Sequence, residues 1–553
     1  MFFSFFIWSS FSLILSIIHF FFKKKGFLLS QLIPIIIIFY SINLFFLLND
    51  LLFFIENKPD EILIQFDSYF NYILLFNISI LIFGGSLVFH VIILISKSNS
   101  DADLPPPSLF LKRKDKIRIG KIKSHFGIYR YFYASIKDLE KHMFICGSTG
   151  TGKSNFMQHF LINFKQKYKI PFFIVEFKGE YHFLQNYIKD LLILWPGENF
   201  SVNIFNPEGT NPFIHAERIF DILKSGNFFE EFSEFSPQME KVLVEILTQA
   251  CGDPQYQSWE GFTECSKNYL EKNKYEIPML KQTLIGVNNR IRRYSQGPLK
   301  ALFNSNNCIN VNQIFKNDII LDLSSIIRLG GEKEDALFFL NVILKYLWDE
   351  NLTSGAAKYN GIKHITVIED AQYFAPQGLA KKSKLTTYLE DIALLQRGTG
   401  ECLVTLATRP DISKEILANN GIVLTFRNHI EKEIMCDLLN LDIEKKSILS
   451  ILNEGECIIR VNSLKEPFIM KLPLLKREVL TVQEICERNA LAFVKMNERE
   501  RALNKKHSKI SNNQDKLDKN PLDKSFYQQF TNLIKDLYEN QEKERFLESK
   551  EHS

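Results

Sequence analysis

At 553 residues the chain is longer than one hydrophobic core sustains, so two or three folded units are expected, and a small disulfide-stapled or disordered protein is excluded. Its 67 Lys+Arg against 63 Asp+Glu leave a formal net charge of +4, which excludes a polybasic, histone-like protein and confines any nucleic-acid contact to local basic patches. The eight cysteines, from Cys146 to Cys486, include no C-x-x-C pair, and so read as reduced thiols of a cytoplasmic interior rather than a zinc ribbon, redox dithiol or secreted disulfide framework.

In chain order the first feature is a phenylalanine-rich, apolar N-terminal region. Met1 to Phe22, Phe27 to about Leu48 and roughly Tyr69 to Ile95 are each long enough to cross a bilayer as a helix, so residues 1–97 are expected to form a transmembrane region of three helices. If one weak segment lies in the interface, two spans remain. Lys23, Lys24 and Lys25 follow the first run instead of preceding it, and no A-x-A-like site is present, which argues against a cleaved signal peptide. The triple-lysine loop is expected inside, the acidic loop with Asp50, Glu56, Asp60, Glu61 and Asp67 outside, and everything after Lys97 in the cytoplasm. Residues 98–140 then read as a linker and a short β segment: SKSNSDADLPPPS (96–108) has no apolar periodicity, and Ile117, Ile119, Ile122, Tyr131 and Tyr133 recur among charged residues.

The sharpest motif is GSTGTGKS, residues Gly147, Ser148, Thr149, Gly150, Thr151, Gly152, Lys153 and Ser154, which fits G-x-x-x-x-G-K-[ST] at every fixed position. Met143 to Cys146 enters it as an apolar strand, and Asn155 to Tyr168 leaves it with helical spacing in Phe156, Phe160, Ile162 and Phe164. Such a loop closes backbone N–H groups around phosphates at a helix N-terminus, with Lys153 on the outer phosphates and the Ser154 hydroxyl on Mg²⁺. The expected cofactors are therefore ATP and Mg²⁺. HITVIED (364–370) is an apolar strand ending in two carboxylates, as a phosphate loop requires; Glu369 is expected to join Ser154 in the metal shell and Asp370 to act as hydrolytic base. The interval between loop and acidic strand is too long for one βαβ crossover and holds helical spacing at Met239, Val242, Leu243, Ile246 and Leu247, so a helical insert is expected over 215–312. No LSGGQ-like signature lies in that interval, which excludes an ABC transporter.

With these motifs in place, the chain resembles the HerA and FtsK superfamily of P-loop translocases, which includes the coupling proteins of type IV secretion. FFIVEFKGEY (172–181) is similar to that superfamily's second-strand motif, with Glu176 and Phe177 where Asp-Pro is usual; Asn206-Pro207 or Asn211-Pro212 resembles the Asn-Pro motif after it. QRGTGECLVTLATRP (396–410) resembles the segment in which an arginine, here Arg397, precedes a strand ending in a polar sensor, here Thr408 where Gln is usual. GIVLTFRN (421–428) places Arg427 where such proteins carry an arginine that can reach a neighbouring subunit's nucleotide, and EGECIIRV with PFIMKL resembles their closing hairpin. The resemblance implies an α/β, RecA-like P-loop NTPase core over 141–475 preceded by the all-α transmembrane region, and an ATPase of translocase or helicase type. It also implies a homo-hexameric ring and a place in the inner (cell) membrane, multi-pass, with the ATPase domain cytoplasmic.

DNA is the expected partner, held by its backbone: Lys112, Arg113, Lys114, Lys116 and Arg118 form one basic cluster, Arg290, Arg292 and Arg293 another, and no sequence-reading motif is present. A relaxase-type or other secretion protein is a possible further partner. The alternatives are a docking ATPase that recruits protein substrates and a nucleotide-binding membrane scaffold. Residues 476–553 read as a charged helical tail: Thr481 and Glu484 form a capping box before a helix to about Leu503, 508–521 is polar, and Phe526 to Leu547 is amphipathic.

Overall fold

The computed structural model describes residues 104, 106–107, 116–123, 129–226, 235–304, 309–354, 361–377 and 384–510. The three expected membrane spans and the amphipathic segment 526–547 lie outside the described residues, among which no helix is long and apolar enough to cross a membrane. The chain divides into two compact units, Met1–Pro106 with Ser124–Ile128, and Pro107–Lys123 with Tyr129–Ser553. The second holds every described helix and strand.

It opens with two strands, β1 (Lys116–Lys123) and β2 (Tyr129–Ser135), then β3 (Met143–Cys146), the phosphate loop and α1 (Lys153–Tyr168). After β4 (Phe172–Glu176) and β5 (Leu192–Leu194) come four helices, α2 (Pro212–Gly226), α3 (Pro237–Gly252), α4 (Trp259–Asn273) and α5 (Leu280–Ser295). The chain returns through β6 (Ile319–Asp322), α6 (Lys333–Ser354), β7 (His364–Ile368), α7 (Lys384–Leu395), β8 (Glu401–Ala407), β9 (Ile422–Thr425) and α8 (Lys432–Leu439). It ends in the hairpin β10 (Glu456–Val461) and β11 (Phe468–Lys471), and the long helix α9 (Val482–Ile510).

Among the described residues the strands form one sheet in the order β2-β1-β11-β10-β9-β3-β8-β7-β4-β6-β5. From β9 to β5 all neighbours are parallel, and β3, β4, β6, β7 and β9 are buried at every position, as strands covered on both faces must be. From β9 to β2 they are antiparallel, and β1 alternates buried Ile117, Ile119 and Ile122 with charged neighbours. Residues 116–135, expected as a short segment ahead of the core, are thus hydrogen-bonded into the core sheet itself through β11.

Parallel order aligns the C-terminal ends of β3, β8, β7, β4 and β6 along one edge of the sheet, where an open α/β sheet places its ligand. The acidic strand β7 is not the immediate neighbour of the phosphate-loop strand β3: β8 lies between them, and the parallel order still brings both C-terminal ends to the same edge. Helix α1 is fixed by a column of rings four residues apart, Phe156, Phe160, Phe164 and Tyr168, with successive centroids 6.1, 5.7 and 5.2 Å apart. Helices α2–α5 lie between β5 and β6; Ser236 caps α3, its hydroxyl accepting from Met239 N with Pro237 in the first turn. At the far edge α9 begins with the expected capping box, Thr481 N and Oγ1 donating to Glu484 Oε2, both at 2.8 Å, and covers β5.

Candidate functional site

The phosphate loop gets its shape from backbone that side chains would forbid. Gly147 has φ +151°, and a Cβ there would stand 2.6 Å from Cβ of buried Phe426, so only glycine lets the loop pass under β9's end. Gly147 N donates to Ala407 O and Ser148 N to Arg427 O, which ties the loop to the ends of both flanking strands, and Thr151 Oγ1 closes it by donating to Ser148 O at 2.7 Å. Helix α1 starts at Gly152 with no side-chain cap, so its first amides face the concavity of the loop and favour an anion. Lys153, whose burial lowers its pKa, lays its ammonium on Gly147 O at 2.7 Å and Ser148 O at 3.1 Å.

Across the edge, Glu369 is buried one residue beyond β7, accepts a hydrogen bond from Tyr181 Oη and lies within the influence of the Ser154 hydroxyl. Burial pushes its carboxyl above the ordinary range, against the pull of the Tyr181 and Ser154 hydroxyls, so a positive charge beside it would be favoured. A divalent cation at this point fits the donors present: the Ser154 hydroxyl and Glu369 would hold it. Among the described residues no group of three His, Cys, Asp or Glu could hold a metal ion alone, and Mg²⁺ characteristically takes one or two protein ligands with the rest from phosphate and water. Asp370 has φ +50°, a left-handed conformation, and its Oδ2 pairs with Lys178 Nζ at 3.0 Å while Oδ1 accepts from Gln372 Nε2 at 3.3 Å. Gln372 Oε1 in turn accepts from Thr408 N at 3.3 Å, so Thr408, after β8, is coupled to Asp370 through one side chain.

The residues that sequence reasoning left unassigned here are Lys178, Tyr181 and Gln372. All but Gln372 lie in FKGEY, where Gly179, at φ +65°, turns the chain so that Tyr181 reaches back to Glu369. The signal was a polar Lys-Gly-Glu-Tyr run after a strand that is apolar up to Glu176, but nothing in it names the partner across the sheet. Glu176 closes that turn, its carboxylate accepting from Glu180 N at 2.8 Å and Tyr181 N at 3.3 Å. Burial, with the charge of Asp322, raises it well above the ordinary carboxylate range.

Of the two arginines, Arg427 follows β9 with an exposed side chain and its carbonyl bound to the loop. Arg397 stands before β8, at the end of that strand opposite to Thr408, so the two are not brought together, and its side chain lies outside the described residues. The basic cluster on α5 is divided: Arg293 pairs with buried Asp335, Arg290 lies over the Phe235 ring and donates to Gly286 O, and Arg292 is exposed. In the other, Arg118 donates to Asn163 and lies 5.1 Å from the Tyr131 ring, while residues 112–114 lie outside the described residues.

Residues 117–347 match the family model described as "Helicase HerA, central domain". Among solved structures, VirB4 of Thermoanaerobacter pseudethanolicus is similar over 67% of this chain and 98% of its own, at 14% identity and TM-score 0.48. The plasmid coupling protein TrwB, in complex with ADP and Mg²⁺, is similar over 63% of this chain and 88% of its own, at 10% identity and TM-score 0.44. None of the curated proteins matches the sequence. The match takes in the phosphate loop at the end of β3, and with the carboxylate pair at the end of β7 it supports a P-loop ATPase of the HerA/FtsK type.

Proposed function

We propose that this ATPase is a membrane-anchored motor that moves or couples DNA at the cytoplasmic face of the membrane, working as a homo-hexameric ring with ATP and Mg²⁺. The observation that carries the reading is the meeting of three elements at one sheet edge: the loop before α1, Glu369 against Ser154, and Asp370 tied through Gln372 to Thr408. Membrane anchoring is supported by the three apolar runs before residue 97, and a DNA substrate by the match to a helicase domain and the exposed cations.

The loop amides and the α1 N-terminus hold the phosphates, and Lys153 leaves its two carbonyls to neutralise the outer ones. Ser154 and Glu369 would hold Mg²⁺, which would supply Lewis-acid stabilisation of phosphate charge. Asp370 orients the attacking water and takes its proton; Thr408, linked to it through Gln372, holds a polar contact with the terminal phosphate. Arg427, exposed at the end of β9, extends toward a neighbouring subunit's nucleotide, where a cation on developing charge makes turnover depend on ring assembly.

The test is the ATPase rate of the full-length detergent-purified protein with and without long double- and single-stranded DNA, beside Lys153→Ala and Asp370→Asn. DNA stimulation that vanishes in both variants is expected, and at higher salt it should fall steeply. Turnover indifferent to DNA but dependent on both residues would move the assignment to protein coupling, and no turnover would favour a scaffold.

A further inference from the structure

Both cations of the site rest on the protein's own oxygens. Lys153 sits on loop carbonyls, and Lys178 sits on Asp370 Oδ2 at 3.0 Å. The second contact does little for packing: the Lys178 side chain is 50% exposed, while Asp370 is 13% exposed. The neighbouring turn is fixed without it, by Phe177 stacked on Phe374 and by the backbone bonds to Glu176. The charge of Lys178 is felt at Lys153, and those of Glu369, Asp370 and Glu180 at Lys178, so its ammonium lies within electrostatic reach of the phosphate loop. With Oδ1 accepting from Gln372 and Oδ2 carrying an ammonium, each oxygen of the Asp370 carboxylate already has a partner, and the ammonium competes with a water for its charge.

We propose that Lys178 is a positioning residue that exchanges partners: it holds Asp370 while no terminal phosphate is present, and moves onto the terminal phosphate of a bound nucleoside triphosphate, releasing Asp370 toward water. The consequence for hydrolysis rests on Asp370 being the base. The exchange makes and breaks no covalent bond; one ion pair replaces another. It favours the phosphate because a half-exposed carboxylate pair is weak, whereas a polyphosphate presents several negative oxygens to one flexible ammonium. It also gives the site a way to tell a triphosphate from a diphosphate before chemistry begins.

The experiment measures equilibrium affinity of the full-length protein for a fluorescent non-hydrolysable ATP analogue and for fluorescent ADP, so the readout is independent of turnover. Lys178→Gln is expected to lower the analogue-to-ADP affinity ratio about tenfold with ADP binding unchanged, and Lys178→Arg to restore most of it. Asp370→Asn is expected to tighten analogue binding several-fold, since Lys178 no longer leaves a partner, and that gain should vanish in the double variant. An unchanged ratio in Lys178→Gln, or a gain in Asp370→Asn that survives in the double variant, overturns the exchange. Undiminished ATP hydrolysis by Asp370→Asn would instead refute the base role alone.

Discussion

At the scale of single residues the site depends on contacts that allow little substitution. Gly147→Ala puts a methyl group against Phe426 at a backbone angle that L side chains rarely adopt, at a cost of about 1–3 kcal/mol. We expect a lowered melting temperature and loss of nucleotide binding, both read in one thermal-shift titration with ATP; a stabilised variant that still binds would sink the account. Tyr181→Phe removes the hydroxyl that donates to Glu369 in a fully buried setting, leaving an acceptor short of a partner. A loss of about 1–3 kcal/mol in urea unfolding of the nucleotide-free protein is expected, and no change would mean that Ser154 alone satisfies the carboxylate.

At the scale of elements, the open edge of the sheet is closed by a side chain. Asn489 on α9, buried, accepts from Ile193 N at 3.0 Å and donates to Ile193 O at 2.8 Å, so one amide does for β5 what a further strand would. Asn489→Ala should raise amide exchange in 191–195 selectively, with α1 unaffected. The same helix is held by Lys495 and Arg499 on Asp190, at 2.7 and 2.6 Å. Burial, which raises the Asp190 pKa, is outweighed by these two cations, so it is held below its ordinary value of 3.8. A depressed carboxyl contributes stability above its unfolded pKa and loses it as pH falls through the folded one; α9 should therefore undock in acid below about pH 3.8, and Asp190→Asn should remove that dependence.

At the scale of the whole molecule, the exposed Arg427 makes the strongest claim on assembly. In the proposed ring, Arg427→Ala and Lys153→Ala are each expected to lose more than about 100-fold in turnover, because one lacks the cation and the other the phosphate contact. Mixing the two should restore measurable activity, since some interfaces then combine an intact loop with an intact arginine. Additive inactivity in the mixture would confine Arg427 to its own subunit.

Sequence alone determined the local chemistry. The phosphate loop, the strand before it, the helix after it, the acidic strand end and the Thr481–Glu484 box are each written within a few consecutive residues, because turns, caps and periodicity are short-range. Only the tertiary structure decided which of those pieces meet. That Tyr181 returns to Glu369 and Lys178 pairs with Asp370 follows from β4 lying beside β7; that Gln372 reaches Thr408 follows from β7 lying beside β8. The basic run on α5 looked like one patch, yet folding spends Arg293 on Asp335 and Arg290 on Phe235 and leaves Arg292 at the surface. The physical reason is the same in each case: strand order in a parallel sheet is set by crossover packing between distant segments, and no stretch of chain carries the identity of its neighbour.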